Sequence, residues 1–199
     1  MDIKELEEKL LELRNKQKKI DAVWSKAGNR KLIEFFVEVL PKALSVERCS
    51  IFVLDPVDDN VWLHSGTGVK ERQIRVPKWS SIVGKVISSG KTMVEEDMEN
   101  TVGAHDTVDI KTGFVSRNSL CVPVKGVTVD KVTGAIQVLN KLGGRPYTDE
   151  DKTLLKKAAM HLQVNVENIF LRQELIKISV HMDKQIRALE KSLIRKKAG

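Results

Sequence analysis

The stretch IQVLNKLGGRPYTDED, residues 136–151, joins two periodicities. An apolar run ends on Asn140 and Lys141, a Gly-Gly-Arg-Pro turn follows, and a run of acids opens a helical pattern. Thr148 suits a helix N-cap. Asp151, three residues on, can return the hydrogen bond, and carboxylates in the first turn complement the helix dipole. The segment 133–141 therefore reads as a strand, and the chain beyond Thr148 as a helix. Its apolar positions continue from Leu154 and Leu155 to Leu189 and Leu193, longer than an ordinary globular helix and as expected of a coiled-coil extension.

Working outward, NSLCVPVKG at 118–126 is a second strong strand. Further upstream, residues 48–66 read as a hairpin, CSIFVLD and VWLHSG about the turn PVDDN. QIRVP at 73–77 reads as a third strand, closed by Pro77. Ser80 or Ser81 can cap a short helix that stops at Gly90. TMVEED is a brief extended piece, and ENTVGAHDTVDIKTG at 99–113 reads as a polar loop. At the N-terminus, Ile3, Leu6, Leu10, Leu13, Ile20 and Trp24 follow 3-4 spacing, interrupted by Gln17. A second helix over 29–44 carries a wider stripe through Leu32, Phe35, Phe36, Val39 and Leu40. The expected organisation is a pair of N-terminal helices (1–44), an α+β core (45–168) and a C-terminal helical extension (169–199). The flanking helices need partners for their apolar seams, so a homodimer joined through them is expected.

Composition narrows the function. The net charge is +7, yet the basic residues are interleaved with acids, and the densest runs, RNKQKK at 14–19 and RKK at 195–197, contain no aromatics. A single-strand nucleic-acid binder needs such stacking platforms, so nucleic acid is not expected as a partner. No apolar run approaches the roughly 20 residues that span a bilayer, and the N-terminus is charged from its second residue. A cytoplasmic protein with no membrane partner is expected. Cys49 and Cys121 lack a CxxC partner or a nearby His, which argues against zinc. No phosphate loop, nucleophile elbow or HExxH pair is present, and His64, His105, His161 and His181 fall on unrelated elements. The expectation is a protein with no catalytic residues, no metal and no required cofactor.

The strings CSIFVLD, IVGKVISSGK, TGF-x-x-RN-x-LCVPV at 112–124 and IQVLNK, in this order, resemble a GAF domain. The resemblance covers roughly 46–168. It is nearest to the cyclic-nucleotide-binding GAF domains of phosphodiesterases and bacterial adenylyl cyclases. Those carry N-K, a spacer, then F-x-x-x-D-E. Here Asn140, Lys141 and Asp151 match, while Tyr147 replaces the Phe and Lys152 the Glu.

The resemblance implies a central antiparallel sheet, with terminal helices on one face and short helices and loops enclosing a ligand on the other. It implies that 97–116 is a pocket lid. The implied ligand contacts are Ser50 beneath a purine, the amides of Ile82 and Val83 on a cyclic phosphate, Asp109, Thr112 and Ser116 from the lid, and Gln137 from the last strand. It also implies an ion pair between Lys141 and Asp151. The aromatic and acid that guanine binders carry at the end of the second strand read Ser65 and Gly66 here.

The implied function is a regulatory sensor. It binds cAMP, cGMP or a similar small molecule and signals through dimeric helices to an effector outside this chain, such as a kinase, cyclase or phosphodiesterase. Two alternatives stand beside it: a ligand-free dimerisation module, and a cysteine-based methionine sulfoxide reductase of the same fold. Likewise Asp109, Thr112 and Ser116 have an alternative role as loop caps, and Ser50 and Gln137 as ordinary strand residues.

Overall fold

A computed structural model describes residues 3–24, 29–56, 60–68, 74–100 and 103–197. In chain order the elements are α1 (Ile3–Trp24), α2 (Asn29–Leu44), β1 (Val46–Leu54), β2 (Asn60–Gly66), β3 (Arg75–Pro77), α3 (Ile82–Ser89), β4 (Met93–Glu95), α4 (Ala104–Thr112), β5 (Ser119–Lys125), β6 (Val132–Lys141), a 3-10 turn (Leu142–Gly144) and α5 (Asp149–Lys197). The strands form one antiparallel sheet in the order β3-β2-β1-β6-β5-β4. The longest strands, β1 and β6, are central, so the stretch 136–141 runs up the middle of the sheet.

Strand alternation divides the interior into two cores. Cys49, Ile51, Val53, Val122, Ile136 and Val138 pack with Ile33, Leu40, Leu155, Leu162 and Phe170 from α2 and α5. The alternate residues Phe52, Cys121 and Ala135 pack with Val61, Leu63, Val83, Val86 and Ile87, the last three from α3. The mixed α+β class and the two-faced sheet follow from this pattern.

The division expected at 168/169 falls within a continuous helix. Phe170, Leu171 and Ile178 remain in the first core. Trp62 Nε1 donates to Gln173 Oε1 at 3.0 Å, and Lys177 pairs with Asp55. Leu13 of α1 joins the same core, and Lys9 Nζ lies 3.8 Å from Glu174 Oε1, so α1 packs along α5 of its own chain. The side chains of Ile3, Leu6, Leu10, Ile20, Trp24, Leu189 and Leu193, most of the PVDDN turn, Gln73, and residues 101–102 of the polar loop lie outside the described residues.

Two expectations are corrected. The third strand is Arg75–Pro77, with Ile74 outside it. The polar loop 99–113 contains a helix, α4. Its sequence AHDTVDIKT has little amphipathic patterning, which hid it, but its ends are well specified. Asp106 Oδ2 accepts from the Gly103 amide at 3.0 Å, and Gly113, at φ 65, closes the helix with its amide on the Asp109 carbonyl at 2.8 Å.

Candidate ligand-binding site

A cavity of about 120 Å³ lies between the second face of the sheet, α3 and α4. Ser50, Ile82, Val83, Asp109, Thr112, Ser116 and Gln137 all line it. The register places Ser50 directly opposite Gln137 on the central strands. Gln137 Nε2 donates to Ser119 Oγ at 2.9 Å. Gln137 Oε1 and the Ser50 hydroxyl make no hydrogen bond among the described residues, so both can meet a ligand.

The start of α3 forms the next wall. Ser81 Oγ accepts from the Gly84 amide at 3.0 Å and donates to the Pro77 carbonyl at 2.7 Å. The amides of Ile82 and Val83 precede the capped one; first-turn amides have no intrahelical acceptor, which suits them to an anion. Glycine is required at 84, because a Cβ there would lie 2.0 Å from the Lys78 carbonyl oxygen. That close approach fixes where the helix begins.

The lid residues engage one another. Asp109 Oδ2 accepts from the Ser116 amide at 2.7 Å and Oδ1 from the Ser116 hydroxyl at 2.9 Å. Thr112 Oγ1 donates to the Val108 carbonyl at 2.9 Å. These bonds fix the last turn of α4 to the segment that follows it.

Residues that sequence reasoning passed over also line the cavity, including Arg48, Glu95, His105 and Phe114. Arg48 lies two positions before Ser50, and strand alternation alone places both on one face. Its guanidinium sits 3.8 Å from the centroid of the Phe114 ring, a cation–π contact from the sheet to the lid. His105 Nε2 lies 2.9 Å from the Met98 carbonyl oxygen and ties the start of α4 down. Ser65 and Gly66 do not line the cavity; they border a separate groove beneath α2.

The end of β6 links this lid to α5. Asn140 is fully buried and sits at φ 61, a left-handed conformation that asparagine tolerates better than most residues. Its Oδ1 accepts from the Arg117 amide at 2.7 Å, and its Nδ2 donates to the Val115 carbonyl at 2.8 Å and to Glu47 Oε2 at 2.9 Å. Arg117 also pairs with Glu47. One residue on, Lys141 Nζ donates to both Asp151 oxygens at 2.7 and 2.8 Å and to the Leu44 carbonyl at 2.7 Å. Asp151 also accepts from the Thr148 amide at 2.9 Å, and Thr148 Oγ1 accepts from the Asp151 amide at 3.2 Å. Burial alone would raise the Asp151 carboxyl. The bonds from Lys141 and Thr148 outweigh it and hold the group below its ordinary value. Lys152 takes no part; it pairs with Asp149 at 2.9 Å on the surface.

A model of the GAF domain matches residues 30–166. The chain belongs to the GAF domain family. It is 26% identical over 125 residues to the dual 3',5'-cyclic-AMP and -GMP phosphodiesterase 11A of Takifugu rubripes, covering 57% of this chain and 14% of that protein. The chain thus spans a small part of the curated relatives it matches. Among solved structures, the GAF domain of a phosphoenolpyruvate-protein phosphotransferase from Coxiella burnetii superposes with a TM-score of 0.61 at 15% identity, over 79% of this chain and 94% of that one. A type II free methionine-R-sulfoxide reductase from Thermoplasma acidophilum superposes at 0.55 with 13% identity, over 69% and 92%. These likenesses at low identity show the GAF fold: a curled six-stranded antiparallel sheet with helices on both faces.

Proposed function

We propose that this chain is the sensor module of a signalling protein. It binds a cyclic nucleotide between sheet and lid and does no chemistry itself. The observation that carries this reading is the cavity itself. It joins the Ser50 hydroxyl and Gln137 Oε1, polar atoms of the central strands with no hydrogen bond among the described residues, to a helix N-terminus suited to phosphate. The likeness to a phosphodiesterase acting on cyclic AMP and cyclic GMP supports the ligand class.

The purine lies over Ser50, with its edge toward Gln137 and Arg48, and the phosphate meets the amides of Ile82 and Val83. At about 120 Å³ the cavity is smaller than ordinary ligand pockets of roughly 300–1,000 Å³. Ligand entry therefore displaces α4. Asn140 couples that displacement to the end of β6, and Lys141 with Asp151 passes it to α5. Two copies join through their helices in the cytoplasm, and the shift of α5 reaches an effector outside this chain.

One observation favours a second reading, a dimerisation module with a collapsed pocket: Asp109 and Ser116 already satisfy each other. Calorimetric titration with cAMP and cGMP separates the two. Heat and a raised melting temperature with either nucleotide support the sensor. Silence with both leaves the dimerisation module, with a dimer expected in sedimentation. The reductase reading is disfavoured because Cys49 and Cys121 are fully buried. Burial pushes the Cys49 thiol up to about 12 and raises Cys121 as well, the opposite of a reactive thiolate.

A further inference from the structure

A second groove, of about 340 Å³, opens between α4 and β3. It shares Ile74, Val76, Ser80 and Val108 with the inner cavity, so these residues form a common wall of the two spaces. The inner cavity by itself is smaller than ordinary ligand pockets. Joined to the groove, the space enters the range of roughly 300–1,000 Å³ for ligand pockets.

The chemistry of the walls changes on the way out. Glu95 and Asp109 line the inner cavity, whereas among the described residues no acidic side chain lines the groove. The groove adds Arg75, Thr107 and Lys111. Arg75 Nη2 pairs with Asp55 Oδ2 at 3.0 Å. The side chains of Ser80, Thr107 and Lys111 have no hydrogen bond or ion pair among the described residues. Anion-favouring groups therefore stand on both sides of the junction: the α3 amides and Ser80 within, Thr107 and Lys111 without. A cyclic monophosphate has one charge and can use only the inner set.

We propose that the groove is a second compartment for an acidic group, so that a nucleotide with a second phosphate gains a contact there that a monophosphate of the same base lacks. This rests on the sensor reading for the nucleotide in the inner cavity. The phosphate at α3 is the first anchor, and the second phosphate lies outside Ser80 against Lys111 and Thr107.

Calorimetry on the 199-residue chain tests this, comparing AMP with ADP and GMP with GDP at fixed ionic strength, with cAMP and cGMP alongside. In one base series the extra phosphate is expected to tighten binding about tenfold, the scale of one charge-assisted contact. Lys111→Ala removes that gain and leaves monophosphate binding unchanged. Residue 111 is exposed and helical, so the variant should fold with an unaltered melting temperature. Equal affinities for mono- and diphosphate, or a gain that survives Lys111→Ala, overturn the second compartment even where cAMP or cGMP binds. If no nucleotide gives heat, the nucleotide reading fails on its own. Inorganic pyrophosphate then tests the groove. Amide shifts at Thr107 and residue 111 that Lys111→Ala abolishes uphold it, and silence at both overturns it.

Discussion

Replacing Asp151 with alanine removes both acceptors of the Lys141 ammonium and the acceptor of the Thr148 amide. The pair is well shielded, with each side chain 11% exposed. Lys141 is left with the Leu44 carbonyl alone. Breaking a buried pair by removing one partner costs about 3–5 kcal/mol, and residual access to water puts this case near 3. For a chain of this size, about 3 kcal/mol lowers the melting temperature by roughly 6–12 °C. Thermal unfolding followed by circular dichroism at pH 7 reads this directly. Asp151→Asn keeps a neutral acceptor and should fall between wild type and Asp151→Ala. Adding Lys141→Met to Asp151→Asn should recover part of the loss, because the orphaned charge is gone. A carboxyl held below its ordinary value contributes fully above 3.8, and the contribution is lost as pH falls through the lower folded value. The gap between wild type and Asp151→Ala therefore narrows below about pH 4. A melting temperature for Asp151→Ala within about 1 °C of wild type at pH 7 would refute the brace.

Asn140→Ala should cost about 2–3 kcal/mol in urea unfolding, since it orphans the Arg117 amide and the Val115 carbonyl. Asn140→Gly relieves the positive φ and loses the same bonds, so it should be the milder variant. Gly84→Ala drives a methyl to 2.0 Å from the Lys78 carbonyl oxygen and must shift α3; nucleotide binding should weaken beyond any loss of stability, as titration and melting of one sample would show. Cys49 and Cys121 should resist alkylation at pH 8 until urea unfolds the chain. Because burial raises their folded values, their contribution to stability is complete below about pH 9 and falls as pH rises above it, a decline that Cys49→Ala with Cys121→Ala should reduce.

The sheet was legible because its strands are two-sided. Period-2 alternation in CSIFVLD and TGAIQVLNK sorts Ile51 and Ile136 from Ser50 and Gln137, and the register then brings the latter pair together. The short helix α3 announced itself through Ser81 and Gly90. The lid helix did not, since β-branched and acidic residues mask its period; Asp106 and Gly113 were the available signals. Arg48 was missed for another reason. Nothing local shows that its guanidinium will meet Phe114, which lies 66 positions along the chain and arrives only when the lid closes. The Lys141–Asp151 pair was legible from the family motif, whereas the work of Asn140 was not: its amide holds the lid's exit while the ammonium of Lys141 holds α5. How α5 is held past residue 168 depended on Gln173 and Lys177 reaching Trp62 and Asp55, pairings that no helical period encodes.

The central claim is that a ligand beneath α4 is felt at the start of α5. Hydrogen exchange on the full chain, with and without a saturating nucleotide chosen by calorimetry, tests it most directly. Altered protection is expected in α4 and the residues after it, 104–116, together with a change at 140–151. Binding heat with unchanged exchange at 140–151 would contradict it.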